Sequence, residues 1–186
     1  MEFDNSFDVP LPPAEAWKVL LDVRRIAPCL PGAELTEVVD AATCKGRVSV
    51  KLGPVALTFA GQVTFEDVDH VAHKARIKAR GTDAKGRGGA DAVVDFRLAP
   101  TAAGTTVSVH TALGLSGAVA QYGRGVGMIE ALSAQLIGQF ADNLKRHLQE
   151  SAPAQPAAAP AAPISGLALI LAALWRRLRH LFGGRP

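Results

Sequence analysis

The sequence predicts an α+β domain in which a long C-terminal helix lies across an antiparallel sheet of about six or seven strands. Two changes of pattern along the chain support this prediction. Apolar and polar residues alternate with period two through most of residues 1–115, as in strands buried on one face. From Ala118 the apolar period becomes 3.6 for about 30 residues, as in an amphipathic helix. Length limits the chain to one domain of about 150 residues with an appendage.

The first elements are a strand and a short helical segment. Phe3, Phe7 and Val9 alternate with polar residues and predict the strand. After a proline-rich turn, Pro13 suits a first helical turn, and apolar residues recur at helical spacing until Pro28. We therefore expect one short helix here, or two with a kink.

A series of strands follows, each with inward apolar and outward polar positions. Short connections between the strands and one solvent-exposed face of the sheet favour antiparallel pairing. The strands are predicted around Leu35–Val39, Val48–Leu52, Val55–Phe65, Ala75–Ala79, Ala92–Leu98 and Val107–Leu115.

The long helix is predicted from Ala118 to about Leu148, and it must cover the apolar face of the sheet because nothing else remains to do so. Small residues such as Gly123, Gly127, Ala131 and Gly138 thin this helix. They indicate either close packing or room for a ligand between helix and sheet.

A proline- and alanine-rich segment separates the domain, residues 1–150, from the C-terminal tail. Residues 151–163 have the composition of a semi-rigid linker. The tail, residues 164–186, holds four arginines and no acidic residue, so its charge is +4. Because the whole chain has a net charge of +3, the first 150 residues carry a net charge of −1. With 5% aromatic residues and this acidic balance, the domain is not expected to bind nucleic acid.

The tail has the pattern of an amphipathic helix that lies in a membrane interface. Its uncharged run, Ile164 to Trp175, is too short to span a bilayer, and extending it would bury three arginines. The alternatives are docking on a partner protein or on a second copy of the tail. The predicted membrane residues are Leu167, Ile170, Leu171, Leu174, Trp175, Arg176, Arg177, Leu178, Arg179, Leu181 and Phe182.

Motifs for catalysis or metal binding are weak. The first ten residues lack a secretory signal, so we expect a cytosolic domain, in which Cys29 and Cys44 are reduced thiols. The glycines of "YGRGVGM" depart from a dinucleotide fingerprint, and the five histidines form no cluster with carboxylates. We therefore predict no catalytic residue and no metal site. Lys85 and Arg87 at a predicted hairpin tip indicate either a partner or lipid contact or a solvated loop.

The order of elements is similar to the helix-grip fold of the START-like (SRPBCC) superfamily, in which a curved sheet grips the last helix around an apolar cavity. Four segments together resemble the G-subunit family of carbon monoxide dehydrogenase: "LPPAEAWKVLLDVRRIAPCLPGAEL", "GPVALTFAG", "GTDAKGRGGADA" and "LSGAVAQYGRG". The resemblance covers essentially the whole domain.

The resemblance implies a non-catalytic accessory protein that attaches a molybdenum-containing carbon monoxide dehydrogenase or related hydroxylase to the cytoplasmic face of the membrane. It also implies that the cavity handles a respiratory quinone, menaquinone or ubiquinone, with no covalently bound cofactor. An assembly or maturation factor without a ligand and a START-like hydrolase or cyclase remain alternatives.

Ligand-cavity residues are predicted on the inward strand positions and on the facing side of the long helix, and plain core packing is the alternative for each. Tyr122 and Arg124 are predicted at the cavity mouth or on the partner surface. The predicted partner-surface residues are Lys85, Arg87 and Arg124. The cavity candidates are Trp17, Leu20, Leu57, Phe59, Ile77, Phe96, Val109, Leu113, Tyr122, Met128, Leu132 and Leu136.

Overall fold

The computed structural model describes residues 1–52, 55–124 and 126–151. The predicted membrane tail, and the linker beyond Ser151, lie outside these residues. The helices are α1 (Pro13–Leu21), α2 (Val23–Ile26) and α3 (Val126–Ser151), with 3₁₀ segments at Ala27–Cys29 and Gly117–Arg124. The strands are β1 (Glu2–Val9), β2 (Ala33–Val38), β3 (Thr43–Leu52), β4 (Val55–Asp69), β5 (Lys74–Asp83), β6 (Gly89–Thr101) and β7 (Gly104–Leu115).

The seven strands form one antiparallel sheet in the order β1-β7-β6-β5-β4-β3-β2. Strands β2 to β6 are each paired with the next strand along the chain, and β1 extends the sheet at its other end by pairing with β7. The predicted antiparallel sheet with a long C-terminal helix is confirmed. Strands β1 and β2 are the two edges of the sheet.

Helices α1 and α2 are separate, so of the two alternatives the kinked pair is correct. Pro13 occupies the first turn of α1, where its missing N–H is not needed. Asp22 ends α1 in an extended conformation and caps α2, because its Oδ1 accepts hydrogen bonds from the backbone N–H groups of Arg24 and Arg25 at 3.1 and 3.3 Å.

The long helix begins later than the periodicity predicted. The prediction of continuous α-helix from Ala118 is wrong for Gly117–Arg124, which is a 3₁₀ helix, and α3 begins at Val126. Gly117 has φ +63°, and a β-carbon there would stand 2.7 Å from the backbone oxygen of Arg87. This left-handed glycine and the low helix propensity of Gly123 disfavour a regular α-helix in these turns.

Helix α3 packs mainly on the edge strand β1 and on the 3₁₀ segment Ala27–Cys29. Two polar contacts fix it: Asn5 Nδ2 donates to Ser133 Oγ at 3.0 Å, and Asn143 Nδ2 donates to the backbone oxygen of Cys29 at 2.9 Å. Because the helix lies toward β1, the middle of the concave sheet face is not filled by it.

The core is divided into two clusters. The first lies under α1 and the C-terminal half of α3 and includes Trp17, Phe96, Phe140 and Leu144. The second lies under the 3₁₀ helix Gly117–Arg124 and the start of α3 and is built on Phe3, Leu57, Val119 and Ile129. The space between the clusters is the candidate site.

Candidate functional site: an apolar groove

A groove of about 450 Å³ runs across the concave face of the sheet between the two core clusters. Its walls are apolar side chains that face the inside of the fold yet are only half-buried, among them Phe59, Phe65 and Ile77. Apolar side chains on the inner face of a sheet are normally buried by what packs on them. Their partial exposure therefore marks a space that the chain itself does not fill.

The floor of the groove consists of small residues aligned by the strand register. Gly46 of β3 pairs with Gly61 of β4, Gly61 with Gly81 of β5, and Gly81 with Ala90 of β6. The neighbouring inward row holds Cys44, Val63, Ala79, Ala92 and Leu113. With so little side-chain volume in the middle of the sheet, the depth of the groove is set by backbone.

Helix α3 contributes little to the groove. Of its described residues only Phe140 lines the space. A β-carbon added at Gly127 or Gly138 would meet nothing within 4 Å. Close packing of α3 on the sheet was one of the two explanations for the small residues in this helix, and it does not apply to these two glycines.

The rim is formed by α2, the 3₁₀ segment after it, and the edge strand β2. Val23, Ile26, Ala27 and Leu30 line the groove from this side, and Leu35 from β2. The charged residues of the adjoining strands pair on the outside, as Arg47 does with Glu34 at 3.2 Å. Lys45 and Arg80, which also border the groove, pair with carboxylates in the same way, so the inner surface of the groove is formed mainly by apolar side chains.

Cys44 is a buried wall residue of the groove. Burial raises the pKa of its thiol, so the group is neutral at physiological pH and acts as a small apolar surface. Within residues 1–52, 55–124 and 126–151, no three His, Cys, Asp or Glu side chains are grouped to hold a metal ion. In the same residues, no buried side-chain nitrogen or oxygen lacks a hydrogen-bond partner. The groove thus offers apolar contact rather than directed polar chemistry.

An ion pair closes the hairpin between β5 and β6. Asp83 is 2% exposed and accepts hydrogen bonds from Arg87 Nε and Nη2, both at 2.8 Å. Arg87 also donates to the backbone oxygen of Ala56 at 3.1 Å. This arginine, with backbone N–H donors in the hairpin, holds the pKa of Asp83 well below its usual range. Arg87, predicted on a partner surface, is therefore engaged within the fold, whereas Lys85 is exposed.

Three of the predicted cavity residues, Phe59, Ile77 and Leu113, line the groove. The structure places the others elsewhere. Trp17, Leu20, Phe96 and Val109 are packed in the first core cluster, and Leu57, Tyr122 and Leu132 belong to the second. Met128 is 55% exposed and Leu136 is half-buried, both on α3 outside the lining of the groove. The side chain of Arg124 lies outside what the structure describes.

Trp17 shows why the inward face alone does not define the site. Its Nε1 donates to His70 Nδ1 at 3.0 Å, and its ring lies 5.7 Å from that of Phe96. Because its N–H group has a hydrogen-bond partner and its ring is enclosed in the first core cluster, Trp17 is a core residue and does not line the groove.

Sequence reasoning missed most of the floor. Gly46, Gly61, Gly81, Ala79 and Ala92 were not among the candidates, because apolar size was the criterion for choosing them. A signal was present: successive inward positions of β5 and β6 are alanine or glycine, where a filled core would need larger residues.

A larger depression, about 1020 Å³, lies on the outer face of the sheet. Its lining includes Arg76 and Asp95, which form a two-point ion pair at 2.8 and 3.1 Å, and Asp4, which contacts His110 Nδ1 at 2.8 Å. An apolar ligand gains little on such a surface, so the inner groove is the better candidate site. Among the described helices, none combines the length and the apolar character that a membrane span requires.

Comparison with protein families identifies one match: the model of the carbon monoxide dehydrogenase G-subunit (CoxG) family fits residues 6–149. No functionally curated protein matches the chain in sequence.

Solved structures share the fold at low sequence identity. A conserved protein of Geobacillus kaustophilus has a TM-score of 0.70 at 18% identity, covering 81% of this chain and 97% of its own. A protein of Thermus thermophilus has a TM-score of 0.60 at 15% identity, and the match covers 82% of this chain and 100% of that protein. The ZhuI aromatase/cyclase of Streptomyces sp. R1128 has a TM-score of 0.58 at 17% identity, and the match covers 83% of this chain and 96% of that enzyme. These similarities confirm the START-like helix-grip fold.

Proposed function

The chain belongs to the carbon monoxide dehydrogenase G-subunit (CoxG) family, and on that basis we propose that it is a non-catalytic accessory protein that binds a lipophilic quinone in its groove. Its partner is a molybdenum-containing carbon monoxide dehydrogenase or a related hydroxylase at the cytoplasmic face of the membrane. The predicted tail, 164–186, supplies the membrane contact. In this proposal the groove carries the electron acceptor between the bilayer and the partner enzyme.

The observation that supports the proposal most directly is the mainly apolar groove of about 450 Å³ between the two core clusters. Pockets of roughly 300–1,000 Å³ with apolar walls are typical of sites for small lipophilic molecules. The groove fits the apolar part of a prenylated quinone because its walls are aliphatic and aromatic side chains and its floor is mostly glycine and alanine. The chain's own residues bind and shield such a ligand; electron transfer is the chemistry of the quinone.

The fold similarity to an aromatase/cyclase does not extend to a reaction. That likeness, at 17% identity, concerns the fold alone. Cys44 is the titratable side chain that the described structure buries in the groove wall, and burial raises its pKa away from the reactive thiolate form. A binding role is therefore favoured over catalysis.

The proposal is tested by purifying the full chain from membranes and analysing its organic extract by mass spectrometry. We expect about one quinone per chain. The variant Ala92→Leu, which fills the floor of the groove, should lower this occupancy. Ala99→Leu is the matched control, because Ala99 is an exposed residue of the same strand.

Outcomes separate the alternatives. Quinone in the wild type and in Ala99→Leu, with loss in Ala92→Leu, supports a quinone-binding protein. An extract without any lipophilic molecule, from a chain that still recruits the molybdenum enzyme, supports an assembly or tethering factor instead. A version ending at Glu150 that leaves the membrane identifies the tail as the anchor; one that stays bound contradicts that part of the proposal.

A further inference from the structure

Helix α2, at the rim of the groove, has two faces of opposite character. Val23 and Ile26, three residues apart, line the groove. Between them, Arg24 is exposed and Arg25 is half-exposed. The carboxylate at this turn, Asp22, accepts from the two backbone N–H groups of the arginines through Oδ1. The helix therefore presents a cationic outer face directly beside an apolar inner face.

The two arginines differ from the other cations near the groove. Lys45, Arg47 and Arg80 each have a carboxylate partner, at 2.9, 3.2 and 2.9 Å. Within the part of the chain that the structure describes, neither Arg24 nor Arg25 has a carboxylate within 4.0 Å that forms an ion pair. Asp22 contributes one negative charge to this turn, so the two guanidinium groups leave it with a net positive charge, which can act on an anionic partner within a Debye length of about 10 Å.

The position of the arginines relates them to the ligand's path. Strand β2 is an edge of the sheet, so in the described structure no further strand flanks the groove on this side. The apolar rim residues Val23, Ile26, Ala27 and Leu30 form the boundary there. A lipophilic molecule that crosses this boundary remains in contact with apolar side chains.

We infer that this rim, residues 23–30, is the surface with which the domain itself contacts an anionic lipid bilayer. The inference rests on the proposed function and deepens it, since it names the part of the domain through which the ligand passes. Apolar side chains flanked by arginines match the boundary between headgroups and acyl chains. Arg24 and Arg25 bind the anionic headgroups, and Val23, Ile26 and Leu30 lie toward the acyl chains.

A bilayer suits this surface better than a nucleic acid or an acidic protein. Both of those partners would be recognised by charge and hydrogen bonding. Neither explains why Arg24 and Arg25 lie at the rim of an apolar groove. A bilayer accounts for both features, because it is the source of a lipophilic ligand and its cytoplasmic leaflet is negatively charged.

Amide hydrogen exchange of the full chain on vesicles tests the inference. On phosphatidylcholine vesicles containing phosphatidylglycerol, the amides of residues 23–30 are expected to exchange more slowly than in the free protein. In Arg24→Gln/Arg25→Gln this contact should weaken about 25-fold, since each cation near an anionic surface contributes a factor of about five. Arg97→Gln, which removes an exposed cation on the outer face of β6, is the control and should keep the slowing.

The result that overturns the inference is unchanged exchange of residues 23–30 on anionic vesicles, whether or not the tail binds them. Slowing that persists in the double variant or on pure phosphatidylcholine also overturns the assignment to the arginines. Slowing that appears only when a purified molybdenum enzyme is added would identify a protein partner and contradict the bilayer contact.

A second measurement separates this inference from the proposed function. Menaquinone-4 is placed in the same vesicles, and its appearance on the re-isolated protein is followed with time. A wild type that never acquires menaquinone-4 but shows slowed exchange at residues 23–30 contradicts the quinone proposal alone. A wild type that acquires it at the same rate as Arg24→Gln/Arg25→Gln contradicts the rim as the route of entry.

Discussion

Gly61 of β4 lies opposite Gly81 of β5, and a β-carbon at Gly61 would stand 1.8 Å from the backbone oxygen of Arg80. No real β-carbon approaches a backbone atom so closely, so the two strands can adopt this arrangement only if position 61 is glycine. The same register continues to Gly46, where a β-carbon would stand 2.7 Å from the backbone oxygen of Glu34. Close approach of backbones thus shapes the floor of the groove.

Gly61→Ala is expected to destabilise the protein by about 2–3 kcal/mol, because the added methyl group forces the backbone of β5 to move. Gly138→Ala is the control. Gly138 lies in α3 with open space around it, and alanine there should stabilise the helix by about 0.5–1 kcal/mol. The measurement is urea denaturation of both variants. Equal effects would contradict the close approach at Gly61.

The sheet and the helix could be predicted from the sequence because alternation and the 3.6-residue period follow directly from which face is buried. The groove could not, because the same alternation describes a filled face and an empty one. Leu57 and Leu113 illustrate the difference. Both are inward leucines, yet Leu57 is enclosed in the second core cluster and Leu113 borders the groove.

Two other features depend on contacts between distant parts of the chain. The 3₁₀ helix before α3 is fixed by the close approach of Gly117 to Arg87, which helical periodicity cannot show. The role of Arg87 likewise depends on the buried position of Asp83 and on Ala56. A cation that the sequence places at a hairpin tip is therefore a structural residue in the fold.

Asp83→Asn is expected to lower the urea midpoint clearly, because it leaves Arg87 without its anionic partner in a half-buried site. Asp91→Asn removes a similar pair with Arg80 on the exposed outer face and should cost no more than about 1 kcal/mol. Denaturation at pH 7 compares them. An Asp83→Asn variant as stable as Asp91→Asn would show that the hairpin does not depend on this pair.

The contribution of Asp83 should also depend on pH in one direction. Its pKa is lower in the folded protein than the unfolded value of about 3.9. Its stabilising effect is therefore complete above pH 4 and is lost as the pH falls through the folded pKa. The difference in stability between wild type and Asp83→Asn should narrow below pH 4. A constant difference down to the most acidic folded conditions would contradict this.

His110 is expected to titrate above its usual pKa. The cause is Asp4, whose Oδ1 lies 2.8 Å from His110 Nδ1, so the carboxylate favours the charged imidazolium. The small stabilisation from this pair is present below about pH 6.5 and is lost as the pH rises through the folded pKa. An NMR titration of the wild type and of Asp4→Asn tests this. The pKa of His110 should fall in the variant; an unchanged value would show that Asp4 does not hold it.

Leu57→Ala and Leu113→Ala provide the sharpest test of the division between packed core and groove. Both substitutions remove the same atoms from inward positions. Leu57 is 1% exposed, so its loss leaves a cavity inside the second cluster and should cost about 3 kcal/mol. Leu113 is half-buried and borders open space, so its replacement enlarges an existing groove and should cost about 1 kcal/mol.

The two leucine variants should also differ in ligand binding, in the opposite order. Leu113→Ala removes part of the groove wall and should weaken binding of menaquinone-4, while Leu57→Ala should leave the affinity of the folded protein unchanged. Urea denaturation and a fluorescence or extraction assay on the same samples give both quantities. If Leu113→Ala proved as destabilising as Leu57→Ala, the region between the clusters would be packed in solution, and the groove would not be available to a ligand.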